Sequence, residues 1–167
     1  MGFGIGICCC NNDPSNCVNC PSSAQFRAVV SGWVDGTCPD GTTTAPCSEF
    51  NGTYLLTAGG GPGCSYRYSG APAGGSAFVC VPVFVLMGLD FNYNAATDTT
   101  TITWGFVNEV SGGIGGGTAT RSGKPDCRSS HFGTLTVSGP ANLTTGEGTD
   151  TYCDTTITIV FTSLYSP

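Results

Sequence analysis

Charge is what this sequence has least of. Asp, Glu, Lys and Arg make up 10 % of 167 residues, against roughly 25 % in ordinary soluble domains. Only five of them are Lys or Arg, and the net charge is −6. With no basic stripe, a duplex nucleic-acid surface is not expected, and neither is attraction to an anionic membrane through basic residues. Helical periodicity is also missing, because no window carries sustained apolar residues at i, i+3, i+4 and i+7. The longest apolar run, AFVCVPVFVLMGL at 77–89, is too short to cross a bilayer as a helix and holds Pro82. The chain is therefore not expected to be a membrane protein. Residues 1–10 lack the positive n-region of a secretory signal, and their apolar stretch is short and broken by glycine. Gly2 sits in no myristoylation pattern, since position 6 is Gly. If the protein is extracellular, it needs a route other than a cleaved signal, and cell lysis is the one by which virus particles leave bacteria.

Hydrophobic residues, at 40 %, are enough for one ordinary core. Thr occurs 23 times and Gly 26 times, so the polar surface comes from Thr, Ser, Asn and Gly, which suits an extracellular or assembled protein. Period-two alternation marks strands. It places Phe26, Ala28 and Val30 on one face, then Ile102, Trp104 and Phe106, then Leu135 and Val137, then Ile157, Ile159 and Phe161. GTYLLTA (52–58) and CSYRYS (64–69) flank the turn-rich GGGPG and read as a hairpin. FVCVPVFVLMGLDFNYN (78–94) reads as one long or two short strands, with Pro82 at an edge or bulge. About eight strands with turns between them predict an all-β fold, an antiparallel β-sandwich or jelly-roll-like barrel. Residues 1–23 form an extended Gly/Cys-rich arm and 24–167 the sandwich domain. Two long loops are expected, at 36–49 and at the Gly-rich 108–131, which holds most of the basic residues.

Eleven cysteines are the strongest chemical signal. Cys8, Cys9, Cys10, Cys17 and Cys20 crowd the head. Disulfides are the favoured reading. The one C-x2-C, at Cys17 and Cys20, also offers two of the four soft ligands that zinc needs. Buried free thiols are the third possibility. Zinc is thus the only cofactor entertained. In the body, Cys38 with Cys47 suggests a loop staple, Cys64 with Cys80 a link between neighbouring strands, and Cys127 with Cys153 a tie from the long loop to the last strand.

Catalysis has little to build on. His131 is the only histidine, no G-x-S-x-G occurs, and no spacing selects a carboxylate pair. A small hydrolase would need His131 beside both a nucleophile and a carboxylate. A sugar-binding role would need exposed rings among Tyr54, Tyr66, Tyr68, Trp33 and Trp104.

The stretch CSEFNGTYLLTAGGGPGCSYRY carries a C-x2-F-N-G-T-Y-x-L core at Cys47, Phe50, Asn51, Gly52, Thr53, Tyr54 and Leu56, followed by Cys64 beside Tyr66. It resembles cysteine-rich all-β proteins with a C-x2-[LF]-N-G-T-Y core, found among tailed-bacteriophage virion genes and phage-like clusters. Such proteins often have a Cys-rich head and a Cys before a Thr/Ile strand, as in YCDTTITIVF here. Asp154 and Thr155 depart from the pattern, which has an aromatic-Pro pair after the last Cys. The family has no established activity, so no catalytic residue carries over.

The resemblance implies a non-enzymatic structural protein of a phage virion, a capsid decoration or a tail or tail-fibre component. Its partners would be other virion proteins, with symmetric homo-oligomerisation, for instance as a trimer. The docking element is the arm, where alternation puts Phe3, Ile5 and Ile7 on one side of an extended strand and bare glycines on the other. The alternative is a secreted or cell-surface carbohydrate-binding module or adhesin, with a glycan receptor.

Overall fold

The structure, a computed structural model, describes residues 17, 19–59, 64–70, 85–108, 112–144 and 151–167. The arm residues Phe3, Ile5 and Ile7, the cysteines Cys8, Cys9, Cys10 and Cys80, and Pro82 lie outside the described residues. The chain is all-β. Its strands are β1 (Phe26–Ser31), β2 (Gly36–Thr37), β3 (Thr44–Ala45), β4 (Gly52–Ala58), β5 (Cys64–Gly70), β6 (Val85–Asn94), β7 (Thr99–Asn108), β8 (Gly112–Ser122), β9 (Thr134–Thr144) and β10 (Thr151–Ser163). One short helix, α1 (Ser129–Phe132), interrupts them.

Eight strands close into one antiparallel barrel in the order β1-β10-β9-β8-β7-β6-β5-β4. This is an up-and-down meander. Each strand from β4 onward pairs with the next, and β1 pairs with both β10 and β4. The expectation of a sandwich or jelly roll is corrected here. β1 joins the last strand to β4, so the sheet closes on itself. β2 and β3 form a separate two-stranded ribbon between β1 and β4. Asp40 shapes its turn by accepting the backbone N–H groups of Thr42 and Thr43 at 2.8 and 2.9 Å, which holds its carboxyl down at about 2.

The inward faces are those that alternation predicts. Phe26, Ala28 and Val30 are buried, as are Ile102, Trp104 and Phe106, and Ile157, Ile159 and Phe161. Rings fill the barrel from both ends. At one end Phe26 packs on Tyr66 (4.8 Å), Phe132 (5.0 Å) and Phe91 (5.8 Å) between ring centroids. Toward the other end Trp33 lies 5.1 Å from Phe50, and Phe106 lies 6.2 Å from Tyr54. The centre is therefore a packed core, as an eight-stranded barrel allows.

The second correction concerns 108–131. Eleven of its residues, Gly112–Ser122, are the strand β8, not loop. Its sequence GGIGGGTATRS shows no apolar alternation because the space over Gly117 is filled by Trp104 of the neighbouring strand β7. A Cβ on Gly117 would stand 3.1 Å from the Trp104 ring, and one on Gly139 of β9 would stand 3.1 Å from the same ring. One indole occupies the space of two absent side chains. Likewise 36–49 is the β2/β3 ribbon followed by a 3-10 turn at Cys47–Phe50.

The barrel's thinnest seam is between β8 and β9, whose ladder among the described residues is the single pair Gly115 and Ala141. There a Cβ on Gly115 would come within 2.8 Å of both the Ala141 Cβ and the Pro140 carbonyl oxygen. Gly115→Ala is expected to push the strands apart and cost about 1–3 kcal/mol, lowering Tm by about 3–10 °C. Calorimetry checks this, and an unchanged Tm contradicts the close approach.

Candidate functional site

The two ends of the barrel are built differently. At the end holding Val30, the C-x2-F-N-G-T-Y stretch forms a structural clasp. Asn51 accepts the Trp33 backbone N–H at 2.9 Å and donates its side-chain amide to the Trp33 carbonyl at 2.8 Å. Tyr54 donates its hydroxyl to the Phe50 carbonyl at 2.7 Å. Cys47 is bonded to Cys153, 106 residues away. Cys153 reaches it from a bulge in β10, where the register shifts between Tyr152 and Thr155 and Cys153 has φ 56°. The motif that suggested a family thus has a physical job, which is to tie the β1–β4 connection to the last strand.

At the opposite end, three chain segments converge on α1. Cys20 is bonded to Cys127, and Cys17 to Cys64. The Cys127 N–H donates to the Asn19 carbonyl at 3.0 Å, and the Ser129 N–H to the Tyr165 carbonyl at 2.7 Å. Tyr66 donates to the Pro21 carbonyl at 2.9 Å, and burial pushes its phenol well above the usual range. Phe132 is the plug, wedged between Phe26 and Phe91.

The disulfide pairs are therefore not the local ones expected. Cys47 takes Cys153 rather than Cys38, Cys64 takes Cys17, and Cys127 takes Cys20. Cys38 is disulfide-bonded as well. With the other six described cysteines paired among themselves, its partner lies outside the described residues. Zinc at Cys17 and Cys20 does not fit this arrangement, since both sulfurs are in disulfides with different partners and are not thiolate ligands. By chain entropy alone, a link closing 106 or 107 residues stabilises by about 5 kcal/mol and one closing 47 by about 4 kcal/mol.

Beside α1 lies an open cleft of about 290 Å³. Phe91, Ile102 and Phe132 give it an apolar floor, and Thr100, Arg121, Lys124, Asp126 and His131 line its sides. Arg121 donates to the Phe132 carbonyl at 2.8 Å and the Thr134 carbonyl at 3.1 Å, and its guanidinium sits 4.6 Å over the Phe132 ring. It bridges β8 and β9 where their backbones are not paired. Lys124 lies 5.9 Å above the Tyr93 ring. Arg128 grips Asp126 with its Nε at 2.9 Å and its Nη2 on the second oxygen, and those hydrogen bonds hold the Asp126 carboxyl below its ordinary value.

His131 has both neighbours that a hydrolase would ask for, in the wrong arrangement. The Ser130 hydroxyl is 2.9 Å and Asp126 is 3.8 Å from the same ring nitrogen, Nδ1. A relay needs the nucleophile on one ring nitrogen and the carboxylate on the other. Of the rings proposed for sugar stacking, Tyr54, Tyr66, Trp33 and Trp104 are all in the core, and the Tyr68 side chain lies outside the described residues. Sequence reasoning missed the cleft, although the gathering of basic residues at 121–128 was its visible trace. No protein family, curated protein or solved structure matches the chain.

Asn51→Ala removes both bonds to the half-buried Trp33 backbone. It is expected to cost about 2 kcal/mol and lower Tm by about 4–8 °C, which thermal melts measure. The Asp126 carboxyl is expected to titrate below 3.8 in a carbon-detected NMR titration. Because folding lowers this value, the Arg128 pair stabilises the fold above pH 3.8 and the contribution fades as pH falls through the folded value. Arg128→Ala should return the midpoint toward 3.8; a midpoint unmoved by that change would contradict the pairing.

Proposed function

We propose that this chain is a non-enzymatic structural protein of a bacteriophage virion, a capsid-decoration or tail component that docks through its N-terminal arm. One observation carries the docking part. Cys17–Cys64 and Cys20–Cys127 bolt the base of that arm onto one end of the barrel. Two covalent anchors transmit load from whatever the preceding residues grip to a core packed with buried rings. The charge-poor, Thr-rich surface and the extracellular-type disulfides suit a particle component. The virion setting itself rests on the resemblance of the Cys47–Tyr66 stretch. Other virion proteins are the partners, and a symmetric homo-oligomer is the form in which such parts assemble. The adhesin alternative loses its aromatic platform, since four of its rings pack the core.

The test leaves every cysteine in place. Phe3→Asp, Ile5→Asp and Ile7→Asp together should abolish incorporation into particles in an infected host. The purified barrel should keep its Tm within about 2 °C, as substitutions outside a core do. Normal incorporation of this variant sinks the docking role of the arm.

A further inference from the structure

The cleft beside α1 lies next to the arm's anchor, and its own chemistry is specific. The chain as a whole is acidic, at −6 with five Lys and Arg, yet three of those five, Arg121, Lys124 and Arg128, and the only histidine fall within residues 121–131. Of the cleft's charged residues, Asp126 is paired with Arg128 beside it. Arg121 and Lys124 have no ion-pair partner among the described residues. Arg121 spends two of its five N–H donors on carbonyl oxygens, which position the guanidinium without cancelling its charge. Lys124 is exposed and has no ion-pair partner among the described residues. His131 binds Ser130 through Nδ1, which turns Nε2 to other partners.

Two fixed or tethered cations over a floor of Phe91 and Ile102 make an amphipathic pocket, where low-dielectric walls focus the field. Its volume of about 290 Å³ holds roughly ten water molecules, the room for a single molecule of monosaccharide size. We infer that this cleft binds a small organic carboxylate, its charge drawn to Arg121 and Lys124 and its body resting on the apolar floor. A carboxylate can accept the guanidinium N–H groups that the Phe132 and Thr134 carbonyls leave free. Inorganic phosphate has no apolar body to rest on the Phe91 and Ile102 floor. The carboxylate has two sources, a sugar acid such as glucuronate or a simple organic acid. The inference stands apart from the arm and the virion.

The test uses the full chain and amide chemical shifts at constant ionic strength. Sodium glucuronate, sodium acetate, glucose and inorganic phosphate are titrated in parallel. Saturable shifts clustered at residues 121–132 are expected with glucuronate and none with glucose. Glucuronate binding tighter than acetate assigns the sugar ring a share of the floor; equal affinities confine recognition to the carboxylate, and both results support the site. Lys124→Glu should weaken glucuronate about tenfold or more, with Lys124→Gln as the milder variant should the first disturb folding. Glucose binding as well as glucuronate, phosphate binding more tightly, or full affinity in Lys124→Gln and Lys124→Glu would each overturn it.

Discussion

Everything in this molecule depends on β1 being paired on both sides. Val30 faces Ile159 across one ladder and Gly52 across the other, and Phe26 faces Ser163 and Leu56. Without that strand, β4 and β10 would be open edges with unpaired N–H and C=O groups. Closure also decides what the interior is. A barrel of eight strands has a centre that inward side chains just fill, and here aromatic clusters fill it from both ends. The remaining features answer the problem that closure creates, which is how to seal two open mouths.

The two seals show different solutions to the same need. Beyond Val30, the chain leaves the barrel, makes the β2/β3 ribbon and returns through the 3-10 turn. The Asn51 amide satisfies a backbone N–H and a backbone C=O that have no strand partner, the accounting that any half-buried loop must meet. At the other mouth the chain supplies a ring, Phe132, carried on a four-residue helix. Such a helix cannot hold itself. Its flanks are instead held by Cys127, Arg128 and Ser129 to Asn19, Cys20 and Tyr165, through a disulfide, a β-bridge and backbone bonds. The charge cluster at that mouth is part of the seal, since Arg121 spans the β8/β9 seam where backbone pairing stops.

Period two made most of the barrel legible from sequence. The inward faces of β1, β7 and β10 follow directly from alternation, and the β4/β5 hairpin follows from its turn residues. β8 was illegible for a definite reason. Its partner in packing, Trp104, lies on another strand, so the apolar signal sits at Trp104 and the glycines read as loop. The sandwich expectation failed for a related reason. Alternation says which face of a strand is buried and is silent on whether the sheet meets another sheet or its own first strand. The disulfide pairing was equally hidden. Closeness in sequence favours Cys38 with Cys47, whereas the barrel ends bring together residues more than a hundred positions apart.

The site is harder to read than the fold because its residues serve both. Arg121 closes a seam, Phe132 plugs a mouth, and Asp126 with Arg128 orders the turn before α1. Each has a structural reason to be there, so none announces a ligand. Lys124 is the exception. It is exposed and, among the described residues, meets the Tyr93 ring, whose hydroxyl in turn donates to Asp98 at 2.7 Å. Cation–π contact at this distance contributes about 0.5–1 kcal/mol at an exposed site, a small return for a cation in a chain that uses so few. On an acidic protein whose surface polarity comes from hydroxyls and amides, an exposed lysine beside a structurally fixed arginine sets the one mouth of the barrel apart from the other. The clasp end is closed by a disulfide and the Asn51 hydrogen bonds, while the α1 end is closed by groups that also present positive charge to solvent.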